Sequence, residues 1–197
     1  MEHMTRIPPA ELTGIKGALV KRMSEKKLGK VPAAVGVFWH QPKVLFASFG
    51  LGGKVQKWDA CDESLKSFAH MAVAGMVGCS FCLDLHYFMT HNRGLDEAKA
   101  REVPRWRQSN AFTPLERRVM EYAEAMSQTP PAVTDEMSAA LLSDLGAPAL
   151  LELTARIGTM NMTARGNVAL GIRSEEFSAS CGLPPLAAPS SAGVASA

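Results

Sequence analysis

Three side chains that can do redox chemistry stand close together in the sequence: the thiols of Cys79 and Cys82 and the imidazole of His86. Their spacings of three, four and seven residues place all three on one face of an α-helix. A thiol in the first turn of a helix lies at the positive end of the helix dipole, which favours the thiolate. The sequence therefore predicts a thiol redox site at a helix N-terminus.

The helical order also suggests a role for each member of this site. His86 lies one turn after Cys82, where its imidazole can take the thiol proton or hold the thiolate as an ion pair. Cys79 is near enough to close a disulfide with Cys82. We therefore predict that Cys82 attacks the substrate and that Cys79 resolves the product.

The C-x2-C spacing also occurs in metal sites and among reduced core cysteines, and both alternatives stay open at this point. A metal site would use Cys79, Cys82, His86 and His91, but His91 lies five residues after His86 and points about 140° away around the helix. We therefore expect no metal. Because no glycine-rich phosphate loop accompanies the tryptophans, neither a flavin nor a nucleotide cofactor is expected.

The composition limits the classes of partner. The chain has 197 residues, of which 47% are hydrophobic and 20% charged, and a net charge of +2. So small a charge gives no reason to expect a nucleic acid or a membrane surface as partner. No apolar run approaches the roughly 20 residues that cross a bilayer, and the first residues lack the order of a secretory signal. We expect a cytoplasmic protein. The cytoplasm is a reducing environment, which argues against structural disulfides.

Helix formers fill most of the chain and period-2 alternation is rare, which predicts an all-α fold of about eight helices. A break is expected at Gly52-Gly53, and residues 103–112 are expected to be a polar surface connection. The predicted helices cover residues 9–28, 32–40, 42–51, 63–77, 79–92, 96–102, 113–127, 134–146 and a last helix that starts at Pro148.

Three parts of the chain are distinguished by pattern. Residues 1–29 form an N-terminal helical extension, and residues 30–182 form the main helical domain. Residues 183–197 are rich in Pro, Ala and Ser and poor in apolar bulk, so we predict a flexible tail.

Several of these residues carry a family resemblance. The Val31-Pro32 start, the His40-Gln41-Pro42 step, the thiol motif and the end at residues 169–172 resemble the carboxymuconolactone decarboxylase and alkylhydroperoxidase D superfamily. The resemblance implies an all-helical fold that assembles by helix packing into dimers, trimers or hexamers. Its thiol-bearing branch is similar to peroxidases that a dithiol partner reduces. The resemblance implies that Cys82 meets the hydroperoxide and that His86 relays protons.

Two positions depart from the alkylhydroperoxidase pattern. The glutamate of the family's proton relay lies twelve residues before the first cysteine, where this chain has Ser67. A serine cannot be the same acid or base, and Glu63, one turn earlier, is the other candidate for a proton relay. Phe81 stands between the cysteines, where some alkylhydroperoxidases have a histidine.

The function expected from the sequence is reduction of a hydroperoxide at Cys82, with resolution by Cys79 and recycling by an external dithiol. One alternative is a lyase or decarboxylase that acts on a lactone or keto acid. A second alternative is a redox-sensing oligomer without turnover.

The remaining polar and thiol residues are expected to lie outside the site. His70 is expected to be a hydrogen-bonded core histidine, and Asp84 is expected to face solvent. Cys61 is expected to be a buried or idle thiol, whereas Cys181 is expected to be exposed.

Overall fold

The computed structural model describes residues 5–188, and every regular element in that range is helical, which confirms the all-α prediction. A single 3-10 turn, Val103–Arg105, follows the sixth helix. The helices are α1 (Gly14–Leu28), α2 (Ala33–Trp39), α3 (Pro42–Val55), α4 (Glu63–Val77), α5 (Ser80–Asn92), α6 (Glu97–Glu102), α7 (Pro114–Ser127), α8 (Asp135–Ala169) and α9 (Phe177–Ser180).

Helix α4 lies at the centre of the fold and packs against α5, α7 and α8. Its apolar residues recur every three or four positions, and Phe68, Met71 and Val73 have no exposed surface. They meet apolar side chains of α7 and α8 such as Met120 and Leu153 in one continuous core. Burial of this stripe holds the three neighbouring helices around α4.

Local capping signals set the ends of the helices that carry the site. The Asp62 carboxylate accepts hydrogen bonds from two backbone N–H groups at the start of α4. Gly78 ends α4 with a φ of 77°, which glycine adopts without strain. Thr113 and Glu116 form a capping box that begins α7. These ends confirm the predicted bounds of α4 and α7 to within one residue.

Two predicted helix ends are wrong for tertiary reasons. The first helix begins at Gly14 and not near residue 9, because the preceding segment packs against α2 and Ala10 N–H donates to the Gly36 carbonyl at 3.0 Å. Helix α3 continues through Gly52-Gly53 to Val55. Glycines disfavour a helix by about 1 kcal/mol each, but Val55 is buried and anchors the last turn.

Residues 103–112 are also more than the predicted surface connection. Val103, Trp106 and Phe112 are buried, while the arginines between them stay outside. Trp106 Nε1 donates to Glu124 at 2.8 Å, and the Phe112 ring packs edge-on against the core. The many arginines in this segment suggested a polar surface, but its apolar residues Val103, Trp106 and Phe112 cover one end of the core.

Helix α8 changes direction at Gly146, which has the non-helical angles φ 75° and ψ 164°. Helical structure resumes immediately, with Pro148 close to the start of the second part. The predicted stop at Gly146 and restart at Pro148 therefore correspond to a break inside one long element.

The chain beyond α9 returns over α5 and α6. Tyr87 Oη donates to the Pro184 carbonyl at 3.1 Å, and Arg101 Nε donates to the Pro185 carbonyl at 2.8 Å. The first six residues of the predicted tail, 183–188, thus lie against the domain. Residues 189–197 lie outside the described range. No helix within residues 5–188 combines the length and the apolarity that a bilayer crossing requires.

The first three helices, which we call the N-terminal arm (residues 14–55), differ from the core in their surface. Ile15 is 91% exposed, and Leu19 and Met23 follow it at intervals of one turn. Further exposed apolar side chains lie on α3: Val44, Phe46, Phe49 and Leu51. The arm therefore presents apolar surface that nothing in the described chain covers.

Candidate active site

The two thiols lie where α4 turns into α5. Gly78 reverses the chain so that Cys79 becomes the N-cap of α5, and its Sγ accepts the backbone N–H of Cys82 at 3.3 Å. The two Sγ atoms are 2.7 Å apart, and both cysteines are almost completely buried. The structure thus places the thiols together at a helix N-terminus, as the spacing predicts.

The two sulfurs share protons unequally. The hydrogen bond with the Cys82 side chain lowers the pKa of Cys79 against the effect of burial, and the backbone N–H of Cys82 and the Asn167 amide add to this. The same hydrogen bond, burial and the charge on Cys79 raise the pKa of Cys82. Of the two thiols, Cys79 is therefore the one that ionises first, and Cys82 is the one that keeps its proton.

Asn167 is a site residue that sequence reasoning missed. Its Nδ2 donates to Cys82 Sγ at 3.3 Å from the end of α8, and its side chain is buried. Asn167 continues the buried stripe of Ile157, Met160 and Ala164 at intervals of three and four. A single polar residue in an apolar stripe is the signal that could have identified it.

His86 lies one turn after Cys82 and is partly exposed. Among residues 5–188, no hydrogen bond joins its imidazole to either thiol. Burial, followed by the charges of Arg93 and Arg156, lowers the pKa of His86 to about 3. The ring is therefore neutral at physiological pH, and a pKa this low makes it a weak base.

His70 is buried as expected and forms a hydrogen bond with the Arg156 backbone, and it also lies beside His86. The two rings meet edge to face with centroids 4.7 Å apart. His70 Nε2 has no hydrogen-bond partner in the described part of the chain. Burial, His86 and Arg156 hold the pKa of His70 well below its ordinary value. The structure thus adds a second neutral imidazole to the site.

The two candidate relay residues bind other partners. Ser67 Oγ and Thr90 Oγ1 are 2.9 Å apart, and Thr90 Oγ1 donates to the His86 carbonyl rather than to the ring. The Glu63 carboxylate pairs with Arg93 and with Lys66. Within the described range, no hydrogen bond joins Ser67 or Glu63 to the His86 imidazole.

These contacts reveal the register between α4 and α5. The helices run antiparallel, and Glu63 meets Arg93, Ser67 meets Thr90, and His70 meets His86. Helix α8 closes the third side with Asn167 at the thiols. We call the space between α4, α5 and α8 the polar interior; it is lined by Cys79, Cys82, Asn167, His86, His70, Ser67, Thr90, Arg156, Lys66 and Glu152.

A buried ion pair lies at the opposite end of the polar interior from the thiols. Lys66 Nζ is 2.9 Å from Glu152 Oε1 and donates to the Trp58 carbonyl at 2.7 Å. Glu152 Oε2 accepts the Ala60 N–H at 2.7 Å. Burial opposes both charges, but the hydrogen bonds between the two side chains raise the pKa of Lys66 and lower that of Glu152. Both groups are therefore ionised.

The expectation that Asp84 faces solvent is wrong. Its carboxylate is buried and accepts Ser178 N–H and Oγ at 2.9 and 2.7 Å, Ser174 Oγ at 2.8 Å and Phe177 N–H at 2.9 Å. Burial opposes ionisation, but the bonds from Ser178, Ser174 and Phe177 outweigh it and lower the pKa of Asp84. Asp84 therefore anchors the C-terminal segment to the helix that carries the thiols.

The other cysteines and the alternative metal ligand lie outside the site. Cys61 is buried, and burial raises its pKa to about 11. Cys181 is exposed. His91 pairs with Glu97, and within residues 5–188 no group of three or more His, Cys, Asp or Glu side chains is arranged to hold a metal ion.

Comparisons with known proteins agree with this fold. The model of the carboxymuconolactone decarboxylase family matches residues 42–125, which include the thiol motif. The uncharacterized protein YnjA of Escherichia coli (strain K12) is 34% identical over 151 residues, which is 76% of this chain and 83% of YnjA.

Two solved structures share the architecture at low sequence identity. A peroxidase-related protein from Ralstonia eutropha JMP134, described as an alkylhydroperoxidase AhpD core, has a TM-score of 0.77 at 17% identity over 90% of this chain and 96% of that one. The debrominase Bmp8, also solved with 2,3,4-tribromopyrrole, has a TM-score of 0.75 at 20% identity over 89% and 95% of the chains.

The fold is therefore that of the alkylhydroperoxidase D-like proteins. The chain belongs to the carboxymuconolactone decarboxylase family. Peroxidase-related, decarboxylase and debrominase proteins occur in this family or share its fold, so its relatives are enzyme-like.

Proposed function

We propose that this protein is a thiol-dependent hydroperoxide reductase. The observation that carries the proposal is the Cys79–Cys82 pair, whose sulfurs are 2.7 Å apart at the N-terminus of α5 and share protons unequally. A neutral imidazole, His86, lies one turn away on the same helix. Such an arrangement supplies a thiolate, a second thiol for disulfide closure and a neutral imidazole that can relay a proton.

The proposed reaction consumes one hydroperoxide, the Cys82 proton and one proton from solvent. The Cys82 proton passes to the Cys79 thiolate, 2.7 Å away, and the Cys82 thiolate attacks the terminal peroxide oxygen as the O–O bond breaks. The alkoxide receives this proton from Cys79 by way of the neutral His86 imidazole and leaves as an alcohol, which leaves a sulfenic acid on Cys82. The Cys79 thiolate then attacks the Cys82 sulfur, the hydroxide takes a proton from solvent and departs as water, and a disulfide remains.

The next steps need partners outside the chain. An external dithiol reduces the Cys79–Cys82 disulfide by thiol–disulfide exchange and becomes a disulfide itself. We also propose that the protein works as a homo-oligomer, because the N-terminal arm exposes an apolar face with Ile15 at 91%. Burial of such a face against a second copy removes it from water.

A sulfenate-trapping experiment tests the assignment of the two sulfurs. All proteins carry Cys61→Ser and Cys181→Ser, so that only the paired thiols can react. With cumene hydroperoxide and dimedone, the added Cys79→Ser change should leave a dimedone adduct on Cys82 by mass spectrometry. The added Cys82→Ser change should reduce turnover with a dithiol at least about 1,000-fold. An adduct on Cys79 in the Cys82→Ser protein, with retained turnover, would reverse the roles.

The same thiols offer a second candidate function, reductive debromination, which the fold similarity to Bmp8 raises. In that reaction a carbon–bromine bond is replaced by a carbon–hydrogen bond, bromide leaves, and the two thiols become a disulfide. Offering 2,3,4-tribromopyrrole to the reduced protein and measuring bromide separates the two functions. Decarboxylase or lyase activity that survives replacement of both paired cysteines would contradict both thiol proposals.

A further inference from the structure

Within residues 5–188, one buried cation of the polar interior forms no ion pair with a carboxylate. Arg156 lies on α8 and is only 1% exposed. Its Nη1 donates to the Val55 carbonyl at 2.8 Å, while its Nε has no partner among the described residues. A guanidinium has five N–H donors and is always charged in proteins, so most of its hydrogen-bonding capacity here is unused.

The neighbouring carboxylates are engaged elsewhere. Glu152 is bound to Lys66 and to a backbone N–H, and Glu63 is bound to Lys66 and Arg93. Among the described residues, this cluster holds three cations and two carboxylates, so its cations outnumber its carboxylates by one. An uncompensated buried charge costs several kcal/mol, so a protein keeps one where something else supplies the countercharge.

A second buried nitrogen without a hydrogen-bond partner lies beside Arg156. His70 follows Lys66 by one turn on α4, and Arg156 follows Glu152 by one turn on α8, so the Lys66–Glu152 contact brings the two residues to neighbouring positions. His70 is 8% exposed and its Nε2 has no partner in the described range. The proximity of Arg156 also lowers the pKa of His70.

His86 is a residue of the polar interior that reaches the protein surface. This residue is partly exposed, and its ring packs against His70. A ligand that enters beside His86 therefore meets the thiols in one direction and the nitrogens of Arg156 and His70 in the other.

We infer that Arg156 and His70 bind a carboxylate of the substrate within the polar interior. A carboxylate accepts charge-assisted hydrogen bonds from a guanidinium and from a neutral imidazole N–H, and its charge neutralises the excess positive charge of the cluster. The identification of the bound group as part of the substrate rests on the proposed function. The binding of the anion does not, because it can be measured without turnover.

The first experiment compares benzoate with benzamide, which differ in charge but hardly in shape. Benzoate should raise the melting temperature of the reduced protein with the logarithm of its concentration, and calorimetry should give a saturable isotherm. Benzamide should do neither. Equal effects of the two compounds, or no binding of benzoate, would overturn the inference, because these nitrogens would then be serving a neutral group such as water.

The variants connect benzoate binding to the two residues. Arg156→Met should fold with unchanged or higher stability, since a buried charge is replaced by an apolar chain, and should bind benzoate at least about 10-fold more weakly. The matched control is Arg165→Met, which removes an arginine of the same helix outside the site and should bind benzoate as the wild type does. If Arg156→Met does not fold, His70→Phe should show the same loss. Undiminished benzoate binding in either folded variant refutes the assignment.

Measurements of hydroperoxide turnover distinguish the proposed reductase function from the proposed carboxylate site. A fatty-acid hydroperoxide should have a kcat/KM about 10-fold above that of its methyl ester, and Arg156→Met should remove the difference. Benzoate binding that depends on Arg156, without reduction of either hydroperoxide, would reject the proposed function and leave the anion site standing. Reduction of both hydroperoxides at equal rates by the wild type would reject the carboxylate as a substrate group.

Discussion

The polar interior and the N-terminal arm differ in what they bury: the interior buries charged groups, and the arm leaves apolar groups exposed. Most charged groups of the polar interior are paired with one another, as in the contact of Lys66 with Glu152, while apolar groups on the arm, such as Ile15, remain in contact with solvent. Burial of a charge costs least with a partner close by, whereas exposed apolar surface is stabilised by any complementary surface.

The difference indicates which part of the chain determines the stability of a single protomer and which part is available for contact with another copy. The interior needs contacts between residues far apart in the same chain, so changes there should alter the stability of the protomer. The arm should matter for assembly. Changes in the two regions should therefore separate stability from oligomeric state.

The largest effect is expected at the buried ion pair. Glu152→Gln removes the charge that compensates Lys66, whose side chain is 2% exposed, and should lower the free energy of unfolding by about 3 kcal/mol. Urea denaturation followed by circular dichroism measures this change.

The matched control for that measurement is Asp144→Asn. Asp144 pairs with Arg118 at the surface, where an ion pair contributes less than about 1 kcal/mol. Equal losses for the two variants would contradict the distinction between interior and surface charges.

A smaller loss, about 2 kcal/mol, is expected for Asp84→Asn, which weakens the four hydrogen bonds to the C-terminal segment. Because the pKa of Asp84 is lowered by folding, its stabilisation is present above its unfolded pKa and is lost as the pH falls through its folded value. Denaturation at neutral and acid pH should therefore show the variant and the wild type converge in acid. A constant difference would mean that the charge of Asp84 is not responsible.

His86 should make a pH-dependent contribution of about 2 kcal/mol between pH 7 and pH 5. The pKa of His86 is about 3 in the folded chain, below its unfolded value, so the stability is present above about pH 6.5 and is lost as the pH falls toward 3. Nuclear magnetic resonance titration of the imidazole should show no protonation near pH 6.5. An inflection there would show that Arg93 and Arg156 do not act on the ring as described.

The smallest effect on protomer stability, within about 0.5 kcal/mol, is expected for Ile15→Glu combined with Leu19→Glu. Both side chains are exposed, at 91% and 58%. The same double change should dissociate the proposed oligomer, which light scattering after gel filtration measures. A wild-type protein that is already a monomer, or a variant that stays assembled, would contradict the role proposed for the arm.

The sequence predicts features that depend on neighbouring residues. The cap residues Asp62 and Thr113 and the stop at Gly78 act within one turn of their own position, and the predicted bounds of α4 and α7 agree with the structure. The spacing of Cys79 and Cys82 likewise specifies a shared helical face without knowledge of the rest of the fold.

Features that depend on distant residues were missed. The hydrogen-bond donors of Asp84 come from residues 174–178, and the amide beside Cys82 comes from Asn167. No local pattern shows that Arg156 is buried, because an arginine in an amphipathic helix usually faces solvent. The fold of the site could be predicted, but the surroundings that determine its protonation could not.

The antiparallel register of α4 and α5 constrains the length of this part of the chain. One added or deleted residue rotates all later positions of a helix by about 100°. A single-residue insertion in α4 or α5 between Glu63 and Arg93 would therefore turn one member of each matched pair away from its partner, although every side chain of the site was still present. Relatives that keep this chemistry should vary in length before residue 63 or after residue 93, and not between them.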